Sequence, residues 1–181
     1  MLTGKHTGLR AIERDDLKPL LNWRNKPKFR RYFREYRELS MAQQERWFEK
    51  VVLGDPNTRM FAIVSLADNQ LLGAAGLCYI DGINRNADLS IYIGHDDLYI
   101  DDHYALDAAR VLLKYGFEEL SLHRIWAEIY SIDNDKKCFF DHLGFTLEGT
   151  HRQTHWTEGG WTDSLFYGLL APEFNNQPEP R

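Results

Sequence analysis

The hydrophobic pattern of this chain switches between a period of two and a period of three to four. The segment ADLSIYIG (87–94) alternates between its two faces, which predicts a β-strand. Its apolar face holds Leu89, Ile91 and Ile93, and its other face holds Asp88, Ser90 and Tyr92. The next segment has apolar residues at the spacing of a helix face: Leu106, Ala109, Leu113, Phe117 and Leu120. HRIWAEIY (123–130) then returns to a strand pattern, so the chain must combine a sheet with helices.

Capping and turn signals predict the other elements. Asp15 and Asp16 precede a helix that runs to about residue 25, and Ser40 with Gln43 forms a capping-box pattern before a helix to about residue 52. Asp133 can cap a short third helix. Further strand patterns cover residues 8–13, 60–66, 71–80, 145–152 and 161–170. This order predicts an α/β (α+β mixed) fold, a mixed sheet of about six to seven strands flanked by about four helices.

Composition narrows the class of protein. The length of 181 residues predicts a single domain over residues 1–171, and the proline-rich PEFNNQPEPR predicts a flexible tail over residues 172–181. A net charge of −5 argues against a nucleic-acid partner. No apolar run approaches the roughly 18 residues of a membrane span. Cys78 and Cys138 form no Cys-x-x-Cys pair and the histidines show no ligand spacing, so we expect a cytoplasmic protein without a metal site.

Several strings, taken in order, resemble the GNAT superfamily of acetyl-CoA-dependent N-acetyltransferases, and most closely its RimJ/RimL branch. They are LRAIERDDLKPLLNWRN (9–25), ADLSIYIG (87–94), YGFEELSLHRIWAEI (115–129), FFDHLGFTLEGTHR (139–152) and DSLFYGLL (163–170). The resemblance implies a GNAT fold, acetyl-CoA as co-substrate, and a primary amine as acceptor. That amine is a protein N-terminus, an amino sugar-nucleotide, a polyamine or another small amine. It also implies a monomer or a homodimer.

One departure from the family falls where the pyrophosphate of acetyl-CoA should bind. The family has an Arg/Gln-x-x-Gly-x-Gly/Ala loop there, whose backbone amides and helix N-terminus attract phosphate. The matching stretch here, residues 98–105, has no glycine, and Asp101 and Asp102 introduce negative charge. The resemblance nevertheless makes this stretch the candidate cofactor site, with Tyr99, Ile100, Asp101, Asp102, His103 and Tyr104. The backbone of Ile91 and Ile93 would bind the pantetheine arm and stabilise an oxyanion.

A second departure concerns the catalytic groups. Many relatives carry a Tyr where this chain has Phe140, which has no proton to donate to a leaving thiolate. Tyr92 is a candidate replacement, with Tyr99, Tyr104 and Tyr130 as others. Asp88 is the candidate base for the attacking amine, or else a solvent-facing residue on the polar side of its strand. Asn134 lies where the family has an Asn near the CoA arm, or else belongs, with Asp133, to a helix cap. These changes leave a second function open, a GNAT-fold binding protein that no longer uses acetyl-CoA in the usual way.

A basic, aromatic stretch over residues 24–37 matches the segment that helps form the acceptor pocket in the family. Arg24, Arg31, Tyr32 and Phe33 are its candidate acceptor-binding residues, and Trp156 is a candidate from the final hairpin. Such a surface suits an anionic acceptor, or it is a solvated face. The stretch argues mildly against a polyamine acceptor, whereas the overall charge of −5 argues mildly for one.

Overall fold

The computed structural model describes residues 1–175, which form one eight-stranded mixed sheet. The strands are β1 (Leu2–Thr3), β2 (Thr7–Ala11), β3 (Arg59–Ser65), β4 (Leu71–Asp81), β5 (Asn86–Ile93), β6 (Arg124–Tyr130), β7 (Thr146–Thr157) and β8 (Gly160–Leu170). They lie in the order β1-β2-β3-β4-β5-β6-β8-β7. Neighbouring strands are antiparallel except β5 and β6, which are parallel.

Six helices accompany the sheet in the described residues. They are α1 (Leu17–Arg24), α2 (Pro27–Arg30), α3 (Met41–Trp47), α4 (Tyr104–Lys114), α5 (Asn134–His142) and α6 (Ala171–Asn175). Two of them continue into wider π-helical turns, α3 over Phe48–Leu53 and α4 over Tyr115–Glu119. None of the helices in residues 1–175 has the length and apolarity to cross a membrane.

Strand β5 has a hydrophobic core on each of its faces. Ile91 and Ile93 pack into the larger core, which includes the buried face of α4. The predicted spacing of α4 is confirmed, since Ala109 and Leu113 are both buried. Tyr92 packs into a second core with α1 on the opposite face of the sheet. The sheet is therefore covered on both sides here, and a polar residue on β5 does not have to face water.

The predicted caps at Ser40 and Asp133 are confirmed, whereas the cap predicted at Asp15 and Asp16 is wrong. These two residues lie in a short 3-10 turn, and the Asp16 carboxylate accepts the Glu13 N–H at 2.8 Å instead of an amide of α1. The Ser40 hydroxyl accepts the Gln43 N–H at 3.3 Å, and the Gln43 side chain accepts the Ser40 N–H at 2.8 Å. The Asp133 carboxylate accepts the Lys136 N–H at 3.1 Å at the start of α5. Both caps satisfy backbone donors that a helix N-terminus leaves unpaired.

The fold class is confirmed, while the ends of the chain differ from prediction. The strand count is slightly higher than predicted because β1 has two residues, too few to show an alternating pattern. Residues 172–175, predicted as flexible tail, belong to α6. The Phe174 ring lies 5.1 Å from that of Phe117, and Glu173 accepts the Leu170 N–H at 2.8 Å. The remaining predicted tail, residues 176–181, lies outside the described residues.

The close packing of β4 against β5 leads to a first prediction, about stability. A Cβ on Gly73 would lie 2.1 Å from the Tyr92 carbonyl oxygen. Because backbone would have to move, we expect Gly73→Ala to lower the free energy of unfolding by about 2–3 kcal/mol in urea denaturation. Gly82→Ala is the control, since its Cβ would meet nothing within 4 Å, and we expect a change below about 0.5 kcal/mol. Equal stabilities of the two variants would contradict this packing.

Candidate active site

Strands β5 and β6 separate after a short parallel contact. They pair only over Asn86–Asp88 and Arg124–Trp126. Beyond Asp88, β5 remains paired with β4 as far as the Gly73–Ile93 pair. The Ile93 N–H donates to the Tyr99 carbonyl oxygen at 2.7 Å. The chain after β5 thus folds back on the end of its own strand.

Tyr99 is buried where the two strands separate, with 3% of its surface exposed. Its ring stacks on Phe29 and Tyr32, with centroids 5.2 and 5.0 Å away. Its hydroxyl donates to the Asp133 carboxylate at 2.6 Å. Burial, together with the Asp133 charge, raises the pKa of Tyr99, and burial raises the pKa of Asp133. This side chain therefore links the end of β5 to the start of α5.

Asp101 caps the N-terminus of α4. Its carboxylate accepts the N–H groups of Ala105 at 2.7 Å, Tyr104 at 2.9 Å and His103 at 3.3 Å. These amides are the groups that an anion would otherwise bind at this helix end. One of the two acidic residues that the sequence places here, Asp101, therefore occupies the position of the anion. Asp102 is exposed, and within residues 1–175 its side chain contacts His142 at 3.3 Å.

The other predicted cofactor-binding side chains are mostly structural. Ile91, Ile93 and Phe140 are buried in the larger core, and Ile100 and Tyr104 pack against it. His103 is exposed, with its ring 4.1 Å from that of His6. Asn134 is exposed at the start of α5 and accepts a hydrogen bond from Lys137. The Ile93 amide, expected to stabilise an oxyanion, donates to Tyr99 instead, so it is not available in this arrangement.

Asp88 is buried, with 5% of its surface exposed, so the solvent-facing alternative is wrong. Arg34 donates to it at 3.0 Å and also contacts Glu128 at 3.1 Å. The Ser164 hydroxyl donates to Glu128 at 2.6 Å. Burial raises the pKa of Asp88 to about 6, and the Arg34 charge acts in the opposite direction. Asp88 is thus a buried carboxylate that takes up a proton close to neutral pH.

Sequence reasoning did not single out Arg34 or Glu128. Arg34 lay within the basic stretch, but nothing in that stretch distinguished it from its neighbours. The position of Glu128 could have been predicted from strand alternation. Glu128 lies on the same face of β6 as Trp126, and Trp126 is paired with Asp88.

A cavity of about 460 Å³ lies on the face of the sheet that carries α1 and α3. Tyr92 forms part of its floor, and the Tyr92 hydroxyl donates to the Leu20 carbonyl at 3.3 Å. Burial raises the pKa of Tyr92 and brings that of the Cys78 thiol, also in the floor, to about 12. Phe33 packs edge-on against Tyr92 at 5.5 Å. Arg24 lies over the Phe33 ring, 4.5 Å from its centroid.

The structure divides the predicted acceptor-binding residues into two groups. Arg24 and Phe33 line the cavity. Tyr32 instead stacks on Tyr99, while Arg31 forms an ion pair of 2.8 Å with Glu158. Trp156 lies on the β7–β8 hairpin, 56% exposed and against Trp161. Only the first group is positioned to contact a ligand in the cavity.

Comparison with known proteins identifies the family. An acetyltransferase (GNAT) domain model matches residues 6–146. The chain belongs to the GNAT acetyltransferases. A spermidine N(1)-acetyltransferase from Vibrio cholerae is 27% identical over 176 residues, covering 94% of this chain and 96% of the relative. The Escherichia coli spermidine N(1)-acetyltransferase is 25% identical, covering 87% of this chain and 82% of the relative.

Solved structures agree on the GNAT fold. The crystal structure of spermidine N-acetyltransferase from Vibrio cholerae in complex with CoA and spermine superposes with a TM-score of 0.84 at 24% identity, covering 94% of this chain and 98% of that one. A GNAT-family acetyltransferase from Bacillus anthracis gives 0.81 at 20% identity, covering 95% and 99%.

A solved relative binds CoA, which is consistent with acetyl-CoA as co-substrate, but two residues of this chain occupy positions that the family resemblance assigns to that donor. Asp101 already binds the α4 amides that would receive the pyrophosphate. Tyr99 fills the separation of β5 and β6, where the pantetheine arm would enter. No glycine between residues 98 and 105 lets a phosphate approach the backbone closely. Binding of this donor at the position that the family resemblance implies would displace these contacts of Asp101 and Tyr99.

The raised pKa of Asp88 makes a prediction about stability. A carboxyl whose pKa is higher in the folded than in the unfolded state adds stability as the pH falls through the folded value. We expect the stability of the wild type relative to Asp88→Asn to increase by about 1 kcal/mol between pH 8 and pH 5, as measured by urea denaturation. Other carboxylates titrate in both proteins and cancel in this difference. A difference that is independent of pH would show that Asp88 titrates normally.

Proposed function

We propose that the protein is a RimJ/RimL-type N-acetyltransferase that transfers the acetyl group of acetyl-CoA to a primary amine. Relatives named as spermidine N(1)-acetyltransferases match 94% and 87% of this chain, which supports acetyl transfer to an amine. The acceptor is a protein N-terminus, an amino sugar-nucleotide, a polyamine or another small amine. A cytoplasmic location and a monomeric or homodimeric state stay predictions.

The buried carboxylate of Asp88 carries this proposal. It lies at the last β5–β6 pair, beside the separation of the strands. With a pKa of about 6 it is largely ionised at neutral pH, so it can accept the proton of an attacking amine, directly or through water. Arg34 holds the carboxylate in place. Tyr92 lies on the same face of β5 and is the proposed proton donor.

A transfer assay with acetyl-CoA and a panel of amines, including spermidine, tests the proposal. Asp88→Asn removes the base at nearly constant volume, so we expect kcat to fall by about a hundredfold or more. We also expect the decline of kcat/KM with falling pH to steepen below about pH 6, because Asp88 becomes protonated there. Transfer by Asp88→Asn at the wild-type rate would remove Asp88 from the mechanism.

A GNAT-fold binding protein that does not use acetyl-CoA in the usual way is the second candidate. The contacts of Asp101 and Tyr99 favour it, since both residues occupy positions that the donor would need. Phe140 is consistent with it, because this side chain has no proton to donate.

Calorimetry with CoA separates the two functions. Asn at position 101 would keep a capping oxygen but lose the charge, so we expect Asp101→Asn to bind CoA about fivefold more tightly than the wild type. Asp102→Asn is the matched control, and its exposed charge is screened, so we expect a change of about twofold or less. Absence of saturable CoA binding by all three proteins up to millimolar concentration would support the binding protein.

A further inference from the structure

The cavity under α1 and α3 adjoins the proposed base. Cys78 and Ser90 line its floor. Cys78 is the residue of β4 that pairs with Asp88, and Ser90 lies two residues further along β5 on the same face as Asp88. Asp88 itself does not line the cavity, so an amine at this end would lie beside the residues that neighbour Asp88 rather than in direct contact with it.

Three cations line the same cavity: Arg24, Arg46 and Lys50. Among residues 1–175, none of the three forms an ion pair or a side-chain hydrogen bond. Arg24 is half-buried with its guanidinium over the Phe33 ring. Burial lowers the pKa of Arg24, and the nearby charge of Glu35 acts in the opposite direction without forming an ion pair. Its guanidinium nitrogens are not among the buried donors that lack a partner in the described residues, so they stay accessible from the cavity, where a charge-assisted hydrogen bond to an anion is favourable.

Glu35 is the one carboxylate among those of residues 1–175 that line the cavity, and its charge does not neutralise the three cations. Glu35 is bound at both oxygens by Arg37, at 2.8 and 2.6 Å. Arg37 lowers the pKa of Glu35 to about 2, so the carboxylate stays ionised and paired. The cavity is therefore positively charged within a protein whose net charge is −5.

We infer that this cavity binds an amine whose other end carries a carboxylate or a phosphate. The anionic end lies among Arg24, Arg46 and Lys50, and the amine lies towards Asp88. This inference rests on the proposed acetyltransferase function, of which it names the acceptor class. A polyamine would bring a second positive charge into a cationic cavity and be repelled. This chain would then differ from the relatives named for spermidine in the charge of its acceptor.

Calorimetry without any acetyl donor tests the inference with two matched pairs of amines. The first pair is γ-aminobutyrate and putrescine, and the second is phosphoethanolamine and ethanolamine. In at least one pair we expect the anionic member, γ-aminobutyrate or phosphoethanolamine, to bind about tenfold more tightly than its partner. A preference in the first pair indicates that the cavity binds a carboxylate, and a preference in the second indicates a phosphate. The preference should decrease as salt is added, because screening weakens the attraction. Equal or tighter binding of the non-anionic members, or no binding of any of the four, would overturn the inference.

Substitutions in the cavity locate the anion. Arg24→Met keeps an apolar stem on Phe33 but removes the charge, so we expect the anionic amine to bind about tenfold more weakly, and Arg24→Lys to recover part of the loss. Lys50→Met should act in the same direction. Lys18→Met, an exposed lysine of α1 outside the cavity, is the control and should bind as the wild type does. Unchanged binding by Arg24→Met and Lys50→Met would place the anion elsewhere and overturn the inference.

The transfer assay keeps the two proposals apart. Anion-selective binding without acetylation of any amine would overturn the proposed function and leave the inference about the cavity standing. Acetylation of putrescine in preference to γ-aminobutyrate, and of ethanolamine in preference to phosphoethanolamine, would overturn the inference and leave the acetyltransferase standing.

Discussion

The separation of β5 from β6 determines the rest of the site. Parallel pairing stops after three residues of each strand, so the later backbone groups of β5 lose their neighbour on that side. Buried backbone donors must find partners, and here the chain supplies them itself: Tyr99 provides the carbonyl oxygen for the Ile93 amide. The same opening leaves room for the charged side chains of Asp88, Arg34 and Glu128.

The Asp101 carboxylate supplies the negative charge and the hydrogen-bond acceptors that a phosphate would supply at the N-terminus of α4. The N-terminal amides of α4 attract negative charge, and a carboxylate three residues before the first of them satisfies it from within the chain. An intramolecular group has a high effective concentration, so an external phosphate competes at a disadvantage. Because residues 98–105 contain no glycine, a phosphate cannot approach the backbone closely there. The α4 amides that a phosphate would bind are instead bound by the Asp101 carboxylate.

The sequence predicted the elements well, because their signals are local. Strand alternation over residues 87–94, the spacing of α4 and the caps at Ser40 and Asp133 each involve neighbouring residues. The acidic cap at Asp101 could be anticipated for the same reason.

The contacts within the site were not predictable in this way, because they join distant parts of the chain. Asp88 and Arg34 are 54 positions apart, and no rule of spacing relates them. The polar face of β5 suggested exposure to solvent, but residues of the basic stretch fold over it. Tyr99 was one of four candidate tyrosines, and only the three-dimensional structure shows its stacking on Phe29 and Tyr32.

Apart from Arg24 and Phe33, which line the cavity, the basic stretch is held in place largely by ion pairs. Six of its seven cations are in ion pairs. Four of them join the stretch to distant parts of the chain: Lys26 and Lys28 with Asp97, Arg31 with Glu158, and Arg34 with Asp88 and Glu128. The pairs of Arg30 with Glu38 and of Arg37 with Glu35 are local. Arg24 alone is left without a carboxylate. The pairs with Asp97 also join the basic stretch to the segment that follows β5. Exposed pairs of this kind contribute about 0–1 kcal/mol each, whereas buried aromatic contacts contribute about 0.5–1.5 kcal/mol beyond their buried area. Displacement of the buried Tyr99 ring, rather than loss of the surface charges, therefore sets most of the free energy needed to open the donor site.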